Sequence, residues 1–218
     1  MRVVAFVGSK SRNVFEYLVN NPPNVRIYAL VGNGTILKSL GRINGLLALS
    51  REETSSIEDG RFNPTEIFPY LRKGDFLLMI GFSRGLFPKV LAPVKGESLI
   101  DTSLAIAQVG NNGPEGIQEV PLAELWSFLL KRVPEYPALL NCGLCGFETC
   151  KEYLRRAVEG EEVKCLSNHT FVSVNGKTVE MNPFIIKQLR VLIKAYLSTL
   201  KGINVKKMKE FHMKLDFD

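Results

Sequence analysis

The sequence predicts an α/β protein built on a parallel sheet, followed by a small cysteine-bearing unit and an α/β tail. Three observations predict it. Short, continuously apolar runs, Arg2 to Val7, Val25 to Val31 and Asp75 to Ile80, alternate with helical patterns, as strands buried on both faces do. All four cysteines, Cys142, Cys145, Cys150 and Cys165, fall in one segment. Beyond it, Asn175-Gly176 separates two β-like runs, a strong hairpin signal, and a capped helix follows.

In chain order, Arg2 to Val7 is β-branched and aromatic and stops at Gly8. Val14 to Val19 suits a helix that presents Val14, Phe15 and Leu18, broken by Asn21-Pro22-Pro23-Asn24. Val25 to Val31 is a second strand, closed by Gly32-Asn33-Gly34. Ile36 to Leu49 mixes apolar residues with glycine, and Ser50 to Gly60 reads as an exposed loop. Asn63-Pro64-Thr65-Glu66 predicts a helix start, with Asn63 as cap, running to about Arg72. Ser98 to Ile100 and Leu104 to Val109 are extended candidates, and Asn111-Asn112-Gly113-Pro114 is a turn. After Pro121, Leu122, Leu125, Trp126, Leu129, Leu130 and Val133 recur at helical spacing, which makes the tryptophan a core residue.

Pro134 and Pro137 predict a boundary. The expected units are residues 1–134, an α/β domain; 138–168, the cysteine unit; and 169–218, a tail of hairpin, helix and strand. In the tail, Asn182-Pro183 caps a helix carrying Phe184, Leu189, Leu192, Ile193, Tyr196 and Leu200, and Met208 to Phe217 is a last extended segment.

Composition bounds the function. The chain has 218 residues, of which 45% are hydrophobic and 23% charged, and this excludes an intrinsically disordered protein. No apolar run reaches the ~20 residues of a membrane span. No secretory pattern opens the chain, so a cytoplasmic location is expected. The net charge of +6 comes partly from lysines near the C-terminus, and no nucleic-acid-binding signature accompanies it.

The cysteines are spaced C-x2-C-x4-C-x14-C. Gly143 and Gly146 permit positive φ and allow backbone amides to approach an anionic group. Thr149 can cap a helix starting at Cys150, which aims the positive end of that helix at such a group. A zinc site usually pairs two C-x2-C-like knuckles, and Cys150 with Cys165 forms none. Disulfides disagree with the expected compartment. A [4Fe–4S] cluster on all four thiolates fits the spacing, the glycines and the helix. Zinc stabilisation of an interaction module stays open beside it. The segment resembles the four-cysteine [4Fe–4S] domain of RnfB-type electron-transport subunits and corrinoid iron–sulfur proteins, matching all four cysteines and both glycines.

A second candidate follows the first strand. Gly8-Ser9-Lys10-Ser11 stands where a phosphate loop would: backbone amides cradle phosphate, a lysine reaches it, and a hydroxyl binds Mg²⁺. The loop lacks the second glycine of that motif. Val3 to Lys10, Asp75 with Gly81-Phe82, and Pro88-Lys89 together resemble MobB, a P-loop family of molybdopterin-guanine dinucleotide biosynthesis. Ile80 stands where that family has an acid. The tail around Val174 to Lys177, Met181 to Phe184 and Ser198 to Gly202 resembles longer MobB-like proteins that carry the same cysteine domain. The resemblance implies a P-loop-NTPase-like fold and a common tendency to dimerise.

The resulting expectation is an accessory protein in molybdenum or tungsten cofactor maturation. It binds GTP with Mg²⁺, or the pterin cofactor, without efficient hydrolysis. Its partners are other cofactor-biosynthesis proteins or apo-molybdoenzymes. The alternative is a [4Fe–4S] electron-transfer or redox-sensing protein, served by a ferredoxin-type partner, whose α/β domain only docks. Arg12 and Lys89 are candidates to supplement Lys10, although Lys10 and Arg12 are equally readable as surface charges. Asp101-Thr102-Ser103 reads either as a crevice lining or as a turn. His169 reads either as a neighbour of the cysteines or as a surface strand residue.

Overall fold

The computed structural model describes residues 1–32, 45–48, 71, 74–166, 172–174, 177–179 and 181–206. The first unit runs β1 (Arg2–Val7), α1 (Ser11–Asn20), β2 (Ile27–Val31), β3 (Gly45–Ala48), β4 (Phe76–Ile80), β5 (Lys89–Leu91), β6 (Ala105–Gln108) and α2 (Leu125–Arg132). After it come α3 (Cys150–Glu159), the strands β7 (Ser173–Val174) and β8 (Lys177–Thr178), and α4 (Pro183–Ser198). Strands β1 to β6 form one sheet in the order β3-β2-β4-β1-β5-β6, and every pairing in it is parallel. The predicted α/β class is the observed one. β7 and β8 pair antiparallel, as the hairpin signal requires.

Alternation along the central strands divides the core in two. Val4 and Phe6 of β1, with Phe76, Leu78 and Ile80 of β4, face α1 and α2. Val14, Phe15, Leu18 and Val19 cover that face from α1, and Phe15 meets Phe6 edge-on at 5.9 Å. Leu125, Trp126 and Leu129 cover it from α2. Trp126 stands edge-on to Phe76 at 5.7 Å, and its indole N–H donates to the Leu18 carbonyl at 3.0 Å. The tryptophan is a core residue with its one donor satisfied.

The opposite face of the sheet presents Val3, Ala5, Leu77 and Met79. The chain beyond Pro134 covers it: Tyr136, Ala138 and Leu140, then Tyr153 and Leu154 of α3, and Cys165, all belong to the same buried cluster. Glu135 forms a bridge to Arg2, and the Tyr136 amide donates to the Met1 carbonyl. The cysteine segment is therefore packed on the sheet.

At the N-terminal ends of the strands, Arg26 donates twice to Asp75, through Nε and Nη2 to Oδ1, and again from Nη2 to Oδ2. Asp75, quoted above for the family resemblance, thus ties β2 to β4 at the end away from the Gly8 loop. Ser98 to Ile100, read as extended, joins no strand, and Ile100 is exposed. β5 carries no clear strand signal in the sequence, because it is short, follows Pro88 and opens on Lys89. β3 lies inside the mixed stretch after Ile36. The predicted helix from Asn63, the loop Ser50 to Gly60, His169, the Asn175-Gly176 turn and Met208 to Phe217 lie outside the described residues. Among the described residues, no helix is long and apolar enough to cross a membrane.

Candidate metal centre and anion loop

The four cysteines line one pocket, together with Leu140, Asn141 and Phe147. Cys150 and Cys165 are buried, Cys142 and Cys145 half-buried, and all four are free thiols. Their convergence begins with backbone conformation. Leu139 and Asn141 hold φ of 55° and 45°, the left-handed region that costs a non-glycine residue of order 1 kcal/mol or more. Gly143 and Gly146 follow at 70° and 89°. A Cβ on either glycine would meet open space, so the demand there is on φ and not on room. The chain curls through these four positions, and the Gly146 amide donates to the Gly143 carbonyl.

Cys150 sits at the first position of α3. Thr149 caps that helix, its hydroxyl accepting from the Glu152 amide at 3.1 Å. The Cys150 amide donates to Asn141 Oδ1 at 2.7 Å. One polar side chain thereby fixes the start of the helix to the curl that carries Cys142 and Cys145. Gly160 ends the helix in the left-handed conformation at φ 104°.

Burial pushes the Cys150 thiol up, and Cys165, Cys145 and Cys142 push it the same way, against the lowering effect of its bond with Asn141. Tyr153, edge-on to Phe147 at 6.1 Å, donates its hydroxyl to the Glu135 carbonyl. Burial, with Cys165 beside it, pushes the Tyr153 phenol up to about 12, so it stays neutral. Among the described residues, no group of three or more His, Cys, Asp or Glu side chains is arranged to hold a metal ion.

The Gly8 loop lies at the C-terminal edge of the sheet. The chain leaves β1 toward β2 and leaves β5 in the opposite direction, toward β6, so the loop stands at a topological switch point. Gly8 has φ 110°, and a Cβ there would come within 2.7 Å of the Ala92 backbone. Only glycine fits this approach. The loop amides are engaged within the chain. Ser9 N donates to both carboxylate oxygens of Glu97 at 3.0 Å, Lys10 N to the Ala92 carbonyl at 2.8 Å, and Ser11 N to the Gly8 carbonyl at 2.9 Å. Glu97 also accepts from Val94 N at 2.9 Å. No sequence signal pointed to Glu97, because it meets the loop only through the fold.

The supplementary cations do not join this loop. Lys89 is fully buried at the opposite end of β5, and its ammonium donates to Asp101 Oδ2, the Gly85 carbonyl and the Ser103 carbonyl at 3.0, 3.1 and 3.0 Å. Burial lowers the Lys89 pKa, against the opposing pull of Asp101. Asp101 stands at the N-terminal end of β6, away from the carboxyl ends where such sheets bind ligands. It also accepts from the Ser103 amide at 2.8 Å, which is the turn reading. Arg12 pairs along α1 with Glu16 at 3.0 Å. Ile80, at the end of β4 beside Phe6, is buried and apolar.

Comparison with known proteins adds one relation. Over 141 residues the chain is 28% identical to a Methanocaldococcus jannaschii protein, provisionally named a molybdopterin-guanine dinucleotide biosynthesis adapter protein. The match covers 60% of this chain and 56% of that protein, so the chain spans little more than half of the relative's length. No protein-family model matches the chain, and no solved structure matches it. The chain is thus similar, over its matched part, to this provisionally named adapter protein.

Proposed function

We propose that this protein is an iron–sulfur accessory factor in molybdenum or tungsten pterin cofactor maturation, with Cys142, Cys145, Cys150 and Cys165 as ligands of a [4Fe–4S] cluster. The observation that carries the proposal is the convergence of all four thiols on one pocket at the start of α3. The donor set fits the group: among the described residues the pocket wall offers four cysteine sulfurs, the ligands such a cluster takes as thiolates. The spacing, with no second C-x2-C-like knuckle at Cys150 and Cys165, favours a cluster over one tetrahedral zinc. The similarity to the archaeal adapter favours the cofactor pathway.

A [4Fe–4S] cluster, when bound, supplies one-electron chemistry or a redox-dependent surface. The chain's own residues do the rest. Asn141 and Thr149 fix the N-terminus of α3, whose partial positive charge favours an anionic group. Gly143 and Gly146 supply the curl. Ala138, Leu140 and Phe147 give the pocket an apolar lining. In this reading residues 138–168 are the cluster unit, laid against the sheet unit 1–134.

The Gly8-Ser9-Lys10-Ser11 loop fits a full triphosphate cradle poorly. Its amides are already hydrogen-bonded, and Ile80 leaves no acid for Mg²⁺. An efficient NTPase is not proposed. Weaker binding of GTP with Mg²⁺, or of the pterin cofactor's phosphate, requires Glu97 to swing away from Ser9. The test is a calorimetric titration of Mg-GTP into anaerobically prepared protein, with Lys10→Ala as control. Heat that is lost in the variant supports a ligand-holding adapter. Absence of heat with the intact protein selects the second reading, an electron-transfer protein whose sheet unit only docks partners. The engaged amides favour that second reading.

A further inference from the structure

Helix α4 carries apolar residues at helical spacing, Phe184, Leu189, Leu192, Ile193 and Tyr196 among them. Its Asn182 cap forms as expected, Oδ1 accepting from the Ile185 amide at 3.0 Å. Yet among its described side chains only Ile186 and Leu197 are buried. Phe184, Leu192 and Tyr196 are 63%, 65% and 64% exposed. Exposed aromatic and branched side chains at this density on one helix mark an interaction surface.

Charge gives that surface a sign. Lys187, Arg190 and Lys194 stand on α4, and the helix contains no Asp or Glu. These three line one groove with Phe184, Val191 and Leu144. Leu144 lies between Cys142 and Cys145, so the groove runs up to the cysteine loop itself. Apolar anchors ringed by one sign of charge are the composition of a protein-docking site for an oppositely charged partner. A concave groove closed on one side by the cysteine loop favours a protein projection over a flat lipid surface, which a convex helix face would meet better.

We infer that the groove between α4 and the cysteine loop docks an acidic protein, and that its occupant is a small acidic one-electron carrier of the ferredoxin class. The acidic character of the partner follows from the groove. The choice of an electron carrier rests on the iron–sulfur reading of the four cysteines. Phe184 and Val191 supply the apolar contact, Lys187 and Lys194 the steering and register, and Leu144 brings the partner within touching distance of the pocket.

The experiment uses the full chain, prepared anaerobically, and a small acidic ferredoxin as probe. Affinity is measured by calorimetry at low and high salt. Lys187→Glu with Lys194→Glu is the charge variant, Phe184→Ser the apolar one, and melting temperature and iron content are followed in each. The expected result is binding that weakens with salt and falls at least about tenfold in the charge variant. Phe184→Ser lowers it similarly, while melting and iron content hold. Equal affinity in the charge variant and the native protein overturns the inference. So does a native homodimer that Phe184→Ser dissolves, since a second copy then covers the face. Binding to anionic lipid vesicles without binding to the ferredoxin overturns it as well. Absence of iron with salt-dependent binding intact refutes the cluster reading and leaves the acidic-partner site standing.

Discussion

The Ser9 amide and the Glu97 carboxylate form a two-pronged hydrogen bond across the C-terminal edge of the sheet, 3.0 Å to each oxygen. An anion of the chain's own thus sits on the loop where a phosphate would sit. The Ser9 and Val94 amides hold the Glu97 carboxyl below its usual pKa. A depressed carboxylate stays ionised above its unfolded value and lets go only as pH falls through its folded value. Between about pH 5 and 8 the contact is therefore constant, and it opens only in acid. Glu97→Gln is expected to tighten inorganic phosphate or Mg-GTP binding by roughly three- to tenfold at neutral pH, since a neutral amide competes less well for the loop. Calorimetry on both proteins checks this. Equal affinities would mean that phosphate does not visit the Ser9 amide.

Lys89 and Asp101 give a prediction about stability. Asp101→Ala strands a fully buried ammonium and is expected to cost about 3 kcal/mol in urea unfolding. Lys89→Met, of similar length and apolar, is expected to be neutral or mildly stabilising. The Asp101 carboxyl is held low by its bonds with Ser103 and Lys89, which outweigh the raising effect of burial. Its contribution is present at neutral pH and fades as pH falls through that lowered value. If Lys89→Met instead abolished nucleotide binding with the fold intact, the structural assignment of this lysine would be wrong.

Asn141 links the curl to α3, so its removal tests the pocket without touching a thiol. Asn141→Ala loses the acceptor for the Cys150 amide and keeps an unfavourable φ, together about 1–3 kcal/mol. Iron retention after gel filtration is expected to drop, with far-ultraviolet circular dichroism little changed. Asn141→Asp, which keeps the acceptor, is expected to retain more iron than the alanine variant. Identical iron loss in both would separate the hydrogen bond from cluster retention.

Gly146→Ala probes the curl through conformation alone, since open space lies around its Cβ position. The left-handed backbone is expected to cost about 1–2 kcal/mol and to reduce iron incorporation on reconstitution. A variant that incorporates iron as the native protein does would show that the curl tolerates an L side chain.

Much of this architecture was readable because local and global signals agree. β1, β2 and β4 are uninterrupted apolar runs at the centre of the sheet, and Thr149 and Asn182 cap helices as their side-chain chemistry dictates. β5 escaped because a three-residue strand carrying Lys89 is apolar only once Asp101 satisfies the ammonium from a distant turn. In α4 the helix and its Asn182 cap were legible, but helical spacing of Leu192 and Tyr196 reports a face, not what covers it. The cysteines were legible by spacing. Asn141, Tyr153 and Glu97 were not, because each acts through a partner brought near by the fold, as Glu97 reaches Ser9 from the chain that follows β5.

The central claim is the cluster, and metal content tests it most directly. The chain, expressed and purified without oxygen, is assayed for iron, acid-labile sulfide and zinc, with electron paramagnetic resonance after dithionite reduction. About four irons and four sulfides per chain, a reduced-state signal, and loss of both in Cys165→Ser are the results predicted for a [4Fe–4S] centre. A colourless, iron-free protein carrying about one zinc per chain would contradict it.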